Sequence, residues 1–320
     1  MKNNSILLFL GPVLVFSVII TGCAKPATTE LEPVKEFGLV AQFKASGHYT
    51  SFPTMLAKSP ATLKAENYED SCLSCHSAVK IIDDKNAKLA DFFAGGKYAG
   101  KGEGITCRVC HVFEGKDMFN LKNQGWETCA VCHTSGGTPI LGNEVHHPQS
   151  EFIKGIGVGD VPNIPSYKYA NFKDDFTCQD CHVTNGQKHD FMIPGVTTTH
   201  KGLTRTSSLM NYEQLTQLFK QDRCIGCHNP TSFVDKISQQ QIEIENHLEK
   251  LKKIYDEWTI RVQTLDKNDP KVKAFQEGST YYTYVQADGS KGIHNYTFAK
   301  ALIAQAYAKY TELDPNLGRL

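Results

Sequence analysis

The apolar positions follow three different patterns along the chain. Residues 6–20 form one continuous apolar run behind Lys2. Residues 37–235 show little sustained period and are rich in Gly, Ser, Thr and Asn. After Asp235 the apolar positions step by four and three, which is typical of one face of a helix. This stripe comprises Ile244, Leu248, Leu251, Tyr255, Trp258, Val262 and Leu265.

The C-terminal pattern predicts a pair of long helices within residues 236–320. The first helix carries the stripe and is expected to end at Asn268-Asp269-Pro270, because proline disfavours a helical residue before it. The second is expected from about Tyr296 to Leu313, with one face formed by Phe298, Leu302, Ala306, Tyr310 and Leu313. We predict that the two helices are antiparallel and pack on the preceding region; the alternative is packing against a partner subunit.

The N-terminal apolar run predicts export. It is too short to be a convincing membrane span, and it ends at Ile20-Thr21-Gly22-Cys23, which is typical of a bacterial lipobox. We therefore interpret residues 1–22 as a lipoprotein signal peptide and residues 23–36 as a lipidated Cys23 followed by a flexible tether. The alternative is an ordinary cleaved signal peptide. Ala24, where inner-membrane lipoproteins carry Asp, favours the outer membrane, on its periplasmic face or at the cell surface.

Ten of the eleven cysteines belong to five copies of Cys-x-x-Cys-His, which is typical of covalent haem c attachment. Two thiols at this spacing can form thioethers to one haem, and the adjacent histidine can bind its iron. Chance gives roughly 0.01 copies in a chain of this composition. Zinc sites, redox-active thiols and disulfides do not require the histidine. The motifs are Cys72–Cys75–His76, Cys107–Cys110–His111, Cys129–Cys132–His133, Cys178–Cys181–His182 and Cys224–Cys227–His228.

Seven further histidines are available as second axial ligands for five haems. We expect His247 to be solvated, because it lies in a charged run from Glu243 to Lys253. Methionine is the alternative ligand type, but Met55, Met118, Met192 and Met210 are more typical of packing. The candidate distal ligands are His48, His146, His147, His189, His200 and His294.

Several segments resemble the pentahaem ammonia-forming nitrite reductases, within the wider group that includes hydroxylamine oxidoreductase and cytochrome c-554. The resemblance runs from His48 to the C-terminus in the same order. It implies distal-ligand roles for His48 and for His189. The Gly-Ile-His segment that ends at His294 also matches, and the place of His294 at a predicted helix start favours it as a ligand. The matching segments are Ser46-Gly47-His48-Tyr49, Gly104-Ile-Thr-Cys107, His147-Pro148-Gln149-Ser150-Glu151, Lys188-His189-Asp190-Phe191 and Gly292-Ile293-His294.

The chain departs from that family at the positions that carry catalysis. The family's catalytic haem has lysine as its proximal ligand, where this chain has His76. Thr134 and the residues after it replace a segment that contains the family's catalytic tyrosine. The catalytic histidine has a counterpart in His147, and Gly157 stands where a distal histidine is expected. His146 or His147 is therefore a possible iron ligand instead of a substrate-binding acid.

These observations predict a mainly α multihaem cytochrome c with short helices, long loops and very little strand. Residues 37–235 form the expected pentahaem domain, and residues 236–320 the helical hairpin. The leading hypothesis is a membrane-anchored electron carrier with mostly bis-histidine haems. Its expected partners are redox proteins: quinol-linked or periplasmic cytochromes, or an outer-membrane conduit. Nucleic acid is not expected, since the 34 basic and 34 acidic side chains balance and no basic block occurs.

Two other function classes stay open at this point. One is a reductase of nitrite, hydroxylamine or a sulfur oxyanion, with one open haem and with His146, His147 and Tyr49 nearby. The other is a haem-chain filament subunit, in which a histidine of a neighbouring copy completes a haem.

Overall fold

The computed structural model describes residues 36–115, 120–123, 126–134, 145, 147–156, 177–183, 189, 191, 199–200, 203–204 and 229–317. The predicted signal peptide, Cys23, the fifth motif (Cys224, Cys227 and His228) and His146 lie outside these residues, as do Gly157, Met118, Met192 and Met210. The described chain is mainly helical, which confirms the predicted fold class. Strand is limited there to a short antiparallel pair, β1 (Thr199–His200) and β2 (Leu203–Thr204).

Short helices precede three long ones along the described chain. The short ones are α1 (Glu36–Ala45), α2 (Gly47–Leu56), α3 (Pro60–Ala65), α4 (Leu73–His76), α5 (Cys107–Cys110), α6 (Glu127–Ala130), α7 (Gln149–Lys154) and α8 (Cys178–His182). The long ones are α9 (Pro230–Arg261), α10 (Pro270–Asp288) and α11 (Tyr296–Thr311). Single turns of 3₁₀ helix cover Asp70–Cys72, Leu89–Phe92, Val262–Thr264 and Pro315–Leu317, and a π turn covers Val79–Asp83.

The C-terminal region contains both predicted helices and a third, α10, between them. Helix α10 runs antiparallel to α11: Ser279 lies beside Tyr310, whereas Tyr284 lies beside Phe298. The two helices expected to form the antiparallel pair, α9 and α11, run in the same direction. Glu243 of α9 contacts Tyr296 near the start of α11, and His247 contacts Tyr307 further along it. A long antiparallel pair is thus present, but one of its members is the helix that the sequence analysis missed.

Helix α10 was missed because its residues are poor helix formers. Its middle reads Gly-Ser-Thr-Tyr-Tyr-Thr-Tyr, in which glycine, β-branched and aromatic residues lower helix propensity. Asp269-Pro270, predicted to end the first helix, instead begins α10. Asp269 caps it by accepting a hydrogen bond from the Lys271 N–H at 2.8 Å, and Pro270 occupies the first helical position, where its missing N–H costs nothing.

The apolar stripe of α9 forms one side of the main hydrophobic core, as predicted. Ile244 and Leu251 are fully buried, and they pack with Leu302, Ile303 and Tyr310. Burial of one such side chain contributes about 1.5–3 kcal/mol. Trp258 is buried in the same core, and the other four stripe positions, Leu248, Tyr255, Val262 and Leu265, are partly buried against it. This packing fixes the ends of α10 and α11, and with them the loop between the two helices.

A second, smaller core lies at the N-terminal side and supports the first motif. Phe52, Leu63 and Leu73 are fully buried there, and Met55 is 3% exposed within it. Met55 thus packs, as expected. Leu73 begins the helix that carries the first motif, so this small core holds that motif in place.

Helix α7 connects the motif-bearing residues with the helical bundle. The Tyr284 hydroxyl donates to the Ile156 carbonyl at 3.0 Å, and the Asn295 amide donates to the Ile153 carbonyl at 3.4 Å. Gly155 ends α7 in the left-handed conformation, with φ of 67°. Within the described residues, no helix combines the length and the apolar character needed to cross a bilayer.

Substitution of Gly278 tests the packing between α10 and α11. A Cβ atom at this position would lie 2.5 Å from two ring carbons of Tyr310, which is fully buried and hydrogen-bonded to Ser279 at 2.9 Å. We predict that Gly278→Ala destabilises the protein by about 1–3 kcal/mol despite the higher helix propensity of alanine. The matched control is Gly38→Ala in α1, where a Cβ meets nothing within 4 Å and stability should be unchanged or slightly higher. Denaturant unfolding of both variants measures the difference; equal stabilities would contradict the packing.

Candidate haem-binding sites

Each described motif forms or adjoins a single helical turn. The turns are those of α4, α5, α6 and α8. A helical turn places residues three apart on the same side, so the two thiols of each motif face one direction and the histidine follows directly. None of the eight described cysteines is in a disulfide; Cys107 is exposed and the others are half-buried.

Three motif histidines face a second histidine at the same distance. The ring centroids are 6.3 Å apart in His76–His147, in His111–His189 and in His182–His294. The three partner histidines come from distant parts of the sequence. His147 directly precedes α7, and His294 directly precedes the cap of α11.

This distance is the one that two ligands of a single iron require. A metal–imidazole bond is about 2.0 Å long, and the ring centre lies about 1.1 Å behind the bonding nitrogen, so two imidazoles on opposite sides of one iron have centroids about 6.2 Å apart. Direct packing of two aromatic rings allows any separation from about 4.5 to 7 Å. The three histidine pairs therefore have the ring separation expected of two imidazoles bound to one haem iron.

The histidine of the third motif, His133, lies near two candidates. Its ring centroid is 5.8 Å from that of His48 and 5.5 Å from that of His147. One imidazole nitrogen binds one iron, so an assignment of His147 to His76 leaves His48 for His133. His48 is in the first turn of α2, and Ser46 caps that helix by accepting a hydrogen bond from the Tyr49 N–H at 3.4 Å.

Gly104 explains how the second motif approaches His48. A Cβ atom on Gly104 would lie 2.5 Å from the Tyr49 carbonyl oxygen and 2.6 Å from that of His48. The Ile105 N–H donates to the His48 carbonyl at 2.9 Å, and the Ala78 N–H donates to the Gly104 carbonyl at 3.2 Å. Only glycine allows this close approach, which brings together α2 and the first two motifs.

The Nδ1 atoms of four of these histidines contact hydrogen-bonding groups. Nδ1 of His76 lies 3.4 Å from the Ser51 hydroxyl, and that of His133 lies 3.2 Å from the Gln149 amide oxygen. Nδ1 of His182 donates to the Phe191 carbonyl at 3.3 Å, and Nδ1 of His294 lies 2.6 Å from the Asp288 carboxylate. Such contacts fix the orientation and tautomer of an imidazole and leave Nε2 for a metal.

His189 has a buried ring nitrogen without a hydrogen-bond partner among the described residues. Its backbone N–H donates to the Gln42 side chain at 3.0 Å, so α1 holds the residue in place. This atom is Nδ1, and an unpaired buried polar atom costs about 1–3 kcal/mol. It is the ring separation of 6.3 Å from His111 that fits a shared metal.

The electrostatics favour the neutral, metal-binding form of two of these imidazoles. Burial is the main cause that lowers the pKa of His133 and of His189, and the charges of neighbouring histidines lower both further. His294 differs. Burial opposes its charged form, but the charge of Asp288 and the hydrogen bond to it outweigh that effect and raise the pKa of His294.

The cysteines show which motifs are neighbours. The Cys132 thiol forms a hydrogen bond with Cys75, which lowers the pKa of Cys75 to about 7. The Cys129 thiol likewise interacts with Cys178 and lowers the pKa of Cys178 to about 7. The third motif therefore lies between the first and the fourth.

A cavity beside the second motif has the size of a cofactor site. Its volume is about 570 Å³, within the range of about 300–1,000 Å³ typical of ligand pockets. Apolar groups line part of it, and charged groups stand at its edge. The lining includes Cys107, Val79, Ile82, Phe113, Lys101 and Arg108.

Several predicted positions have an outcome in the structure. His247 was expected to be solvated but is half-buried. Its Nδ1 atom lies 3.2 Å from the Tyr307 hydroxyl oxygen. The local charge pattern gave no sign of this contact with α11. Thr134, which stands in place of the family tyrosine, donates from its hydroxyl to the Glu151 carboxylate. His200 lies in β1, and its side chain is outside the described residues.

Sequence reasoning missed Asp288, Gln149 and Ser51, which contact the ligand rings. Asp288 is six residues from its histidine, and Gln149 is sixteen residues from His133. No local motif connects such positions, since the loop after α10 and the start of α7 meet the histidines only in the folded chain.

Comparisons with known proteins support a cytochrome fold. No protein-family model matches the sequence, and a search of curated protein sequences gives no match. Among solved structures, the outer cell wall cytochrome OcwA is similar, with 27% identity and a TM-score of 0.60, over 85% of this chain and 50% of that one. The chain thus spans half of the length of OcwA.

Two further solved structures match with TM-scores below 0.5. An undecahaem cytochrome from the S-layer of Carboxydothermus ferrireducens has 23% identity and a TM-score of 0.47, over 83% of this chain and 40% of that one. The catalytic subunit of cytochrome c nitrite reductase from Desulfovibrio desulfuricans has 16% identity and a TM-score of 0.48, over 79% of this chain and 68% of that one. The solved structures that are similar to this chain are multihaem cytochromes, which agrees with the haem-attachment motifs of its sequence.

Proposed function

We propose that this chain is a membrane-anchored pentahaem c-type cytochrome that passes electrons between redox partners. The observation that carries the proposal is the common 6.3 Å separation of three histidine pairs, each of which contains the histidine of a haem-attachment motif. Iron held by two imidazoles has no open position for a substrate, which suits electron transfer.

The proposed ligand sets follow the ring pairs. His147 serves with His76, His189 with His111, His48 with His133, and His294 with His182. The fifth motif, Cys224–Cys227–His228, takes its second ligand from the remaining predicted histidines, His146 and His200. In each motif the two cysteines form the thioether bonds.

Haem, when bound in these sites, supplies reversible one-electron exchange between Fe(III) and Fe(II). The residues of the chain keep the ligands in place during that exchange. Gln149 and the Phe191 carbonyl hold the rings of His133 and His182, and Gln42 holds the backbone of His189. Rings that are fixed before and after a change of charge need little rearrangement, which favours fast transfer. The adjacency of the third motif to the first and fourth supports a route through neighbouring sites.

The environment of His147 favours a carrier over a reductase of nitrite, hydroxylamine or a sulfur oxyanion. A reductase needs one iron position open to substrate. In the family that this chain resembles, the counterpart of His147 is catalytic, whereas here the His147 ring faces His76 at the spacing of a ligand pair. Its backbone has a positive φ of 49°, a conformation that a non-glycine residue adopts at a cost of about 1–3 kcal/mol. That cost is offset if the ring binds iron.

An envelope location completes the proposal. The predicted lipobox at Cys23 supports a lipid anchor on the outer membrane, with the haem-bearing residues on the periplasmic face or at the cell surface. OcwA, named for the outer cell wall, supports an extracytoplasmic site in general terms. Other cytochromes, quinol-linked or periplasmic, or an outer-membrane conduit are the proposed partners, through small transient contacts.

Substitution of a distal histidine tests the ligand sets. We predict that His189→Ala and His294→Ala each convert one low-spin ferric haem to high-spin, because the sixth ligand is lost, and that added imidazole restores the low-spin signal. The control is His247→Ala in α9, a half-buried histidine bonded to Tyr307, which should leave the spin states unchanged. Low-temperature EPR of the haem-loaded protein measures the change. Unchanged spectra in both distal variants would refute these assignments.

The His147→Ala variant distinguishes the proposed electron carrier from the alternative, a reductase. If His147 is the sixth ligand of the iron at the first motif, the variant gains one high-spin haem that binds added nitrite, whereas the native protein does not bind nitrite. If His147 instead lies beside an iron that is already open, the native protein has the high-spin signal and the variant only loses affinity for nitrite. Nitrite titration followed by absorption spectra distinguishes the two results, and the second would favour the reductase.

A further inference from the structure

Asp288 is a buried carboxylate in direct contact with a proposed haem ligand. Its side chain has no exposed surface, and one of its oxygens lies 2.6 Å from Nδ1 of His294. The other oxygen accepts hydrogen bonds from the hydroxyl and the backbone N–H of Ser290. Both oxygens therefore have donors, as a buried charge requires.

The position of this carboxylate in its helix is unfavourable. Asp288 is the last residue of α10, where the helix dipole places partial negative charge, so an acidic group there costs roughly 0.3–1 kcal/mol. Burial adds a further cost. Local helix stability therefore does not account for Asp288, whereas the contact with His294 does.

Two further contacts prevent Asp288 from moving away from His294. The amide of Gln149 donates to the backbone carbonyls of Ala287 and Asp288 at 3.1 and 3.2 Å. The His294 N–H donates to the Ser290 hydroxyl at 3.0 Å. Gly289, with φ of 72°, allows the turn that brings the two ends of this loop together.

Three ring contacts at motif histidines involve neutral groups. They are the Ser51 hydroxyl at His76, the Gln149 amide oxygen at His133 and the Phe191 carbonyl at His182. A full negative charge at Nδ1 makes an imidazole a stronger electron donor than a neutral acceptor does. In a buried site the charge also acts through a low effective dielectric. Both effects stabilise Fe(III) relative to Fe(II).

We propose that Asp288 is a positioning and tuning residue that lowers the reduction potential of the haem held by the fourth motif, with His182 and His294 as its ligands. This inference rests on the ligand sets of the proposed function. The potential of this haem is then lower than it would be with a neutral group in the place of the Asp288 carboxylate.

Potentiometric titration of the full, haem-loaded protein tests the tuning role. In Asp288→Asn, one haem should titrate at a more positive potential while every haem stays low-spin. Asp288→Glu, which keeps the charge, should return that potential toward the native value. The matched control is Asp84→Asn, which removes a carboxylate bonded to Tyr98 and Lys97, and it should leave all potentials unchanged.

Ser290→Ala provides a second test that does not require loss of the charge. Removal of the hydroxyl that donates to Asp288 leaves more negative charge for His294, so the same haem should move to a more negative potential. A mere loosening of the loop would move both variants in the same direction. Opposite shifts in Asp288→Asn and Ser290→Ala thus support tuning, and shifts of the same sign refute it.

The outcomes separate this inference from the ligand assignment. If His294→Ala yields no high-spin haem, the ligand assignment fails, and the tuning role fails with it. If His294→Ala yields a high-spin haem but Asp288→Asn leaves every potential in place, only the tuning role is wrong. A high-spin haem in Asp288→Asn would mean that Asp288 only holds the ring and would also overturn the tuning role.

Discussion

The structure depends on one geometric requirement, the fixed distance between two imidazoles that share an iron. Three pairs of histidines meet it at 6.3 Å, although the partners in each pair are 71, 78 and 112 positions apart, as the numbers of His76 and His147, His111 and His189, and His182 and His294 show. Non-local contacts of this kind carry a large loop-closure cost, which local structure in the motif region does not repay. Under the proposed ligand sets, bonds to iron offset that cost, and the haem sites are then also the structural centre of that region.

The two protein cores have supporting roles around these sites. The small core with Phe52 and Leu73 holds the first motif, and the helical bundle holds the loop that bears Asp288 and His294. Helix α7 connects the two regions, because Gln149 contacts His133 on one side and the end of α10 on the other. A single polar side chain therefore connects the third motif with the surroundings of the fourth, which gives the two sites a common support.

The sequence predicted those parts of the structure that depend on local pattern. The haem motifs, the apolar stripe of α9 and the position of α11 could be predicted because spacing alone carries them. Helix α10 could not, since its glycine, threonine and tyrosine residues are helical only when packed against Tyr310 and the α9 stripe. The predicted direction of α9 relative to α11 was wrong because α10, which lies between them in the chain, was not predicted. Asp288, Gln149 and Ser51 were missed because ring contacts between distant residues leave no periodic signal.

Low-temperature EPR with spin quantitation on the oxidised native protein shows whether every iron has two imidazole ligands. If it has, the spectrum contains five low-spin ferric haems per chain, no stoichiometric high-spin signal, and no change on addition of nitrite or hydroxylamine. One full equivalent of high-spin haem that shifts when nitrite is added would contradict this ligation, because at least one iron would then be open to substrate and the chain would act as a reductase.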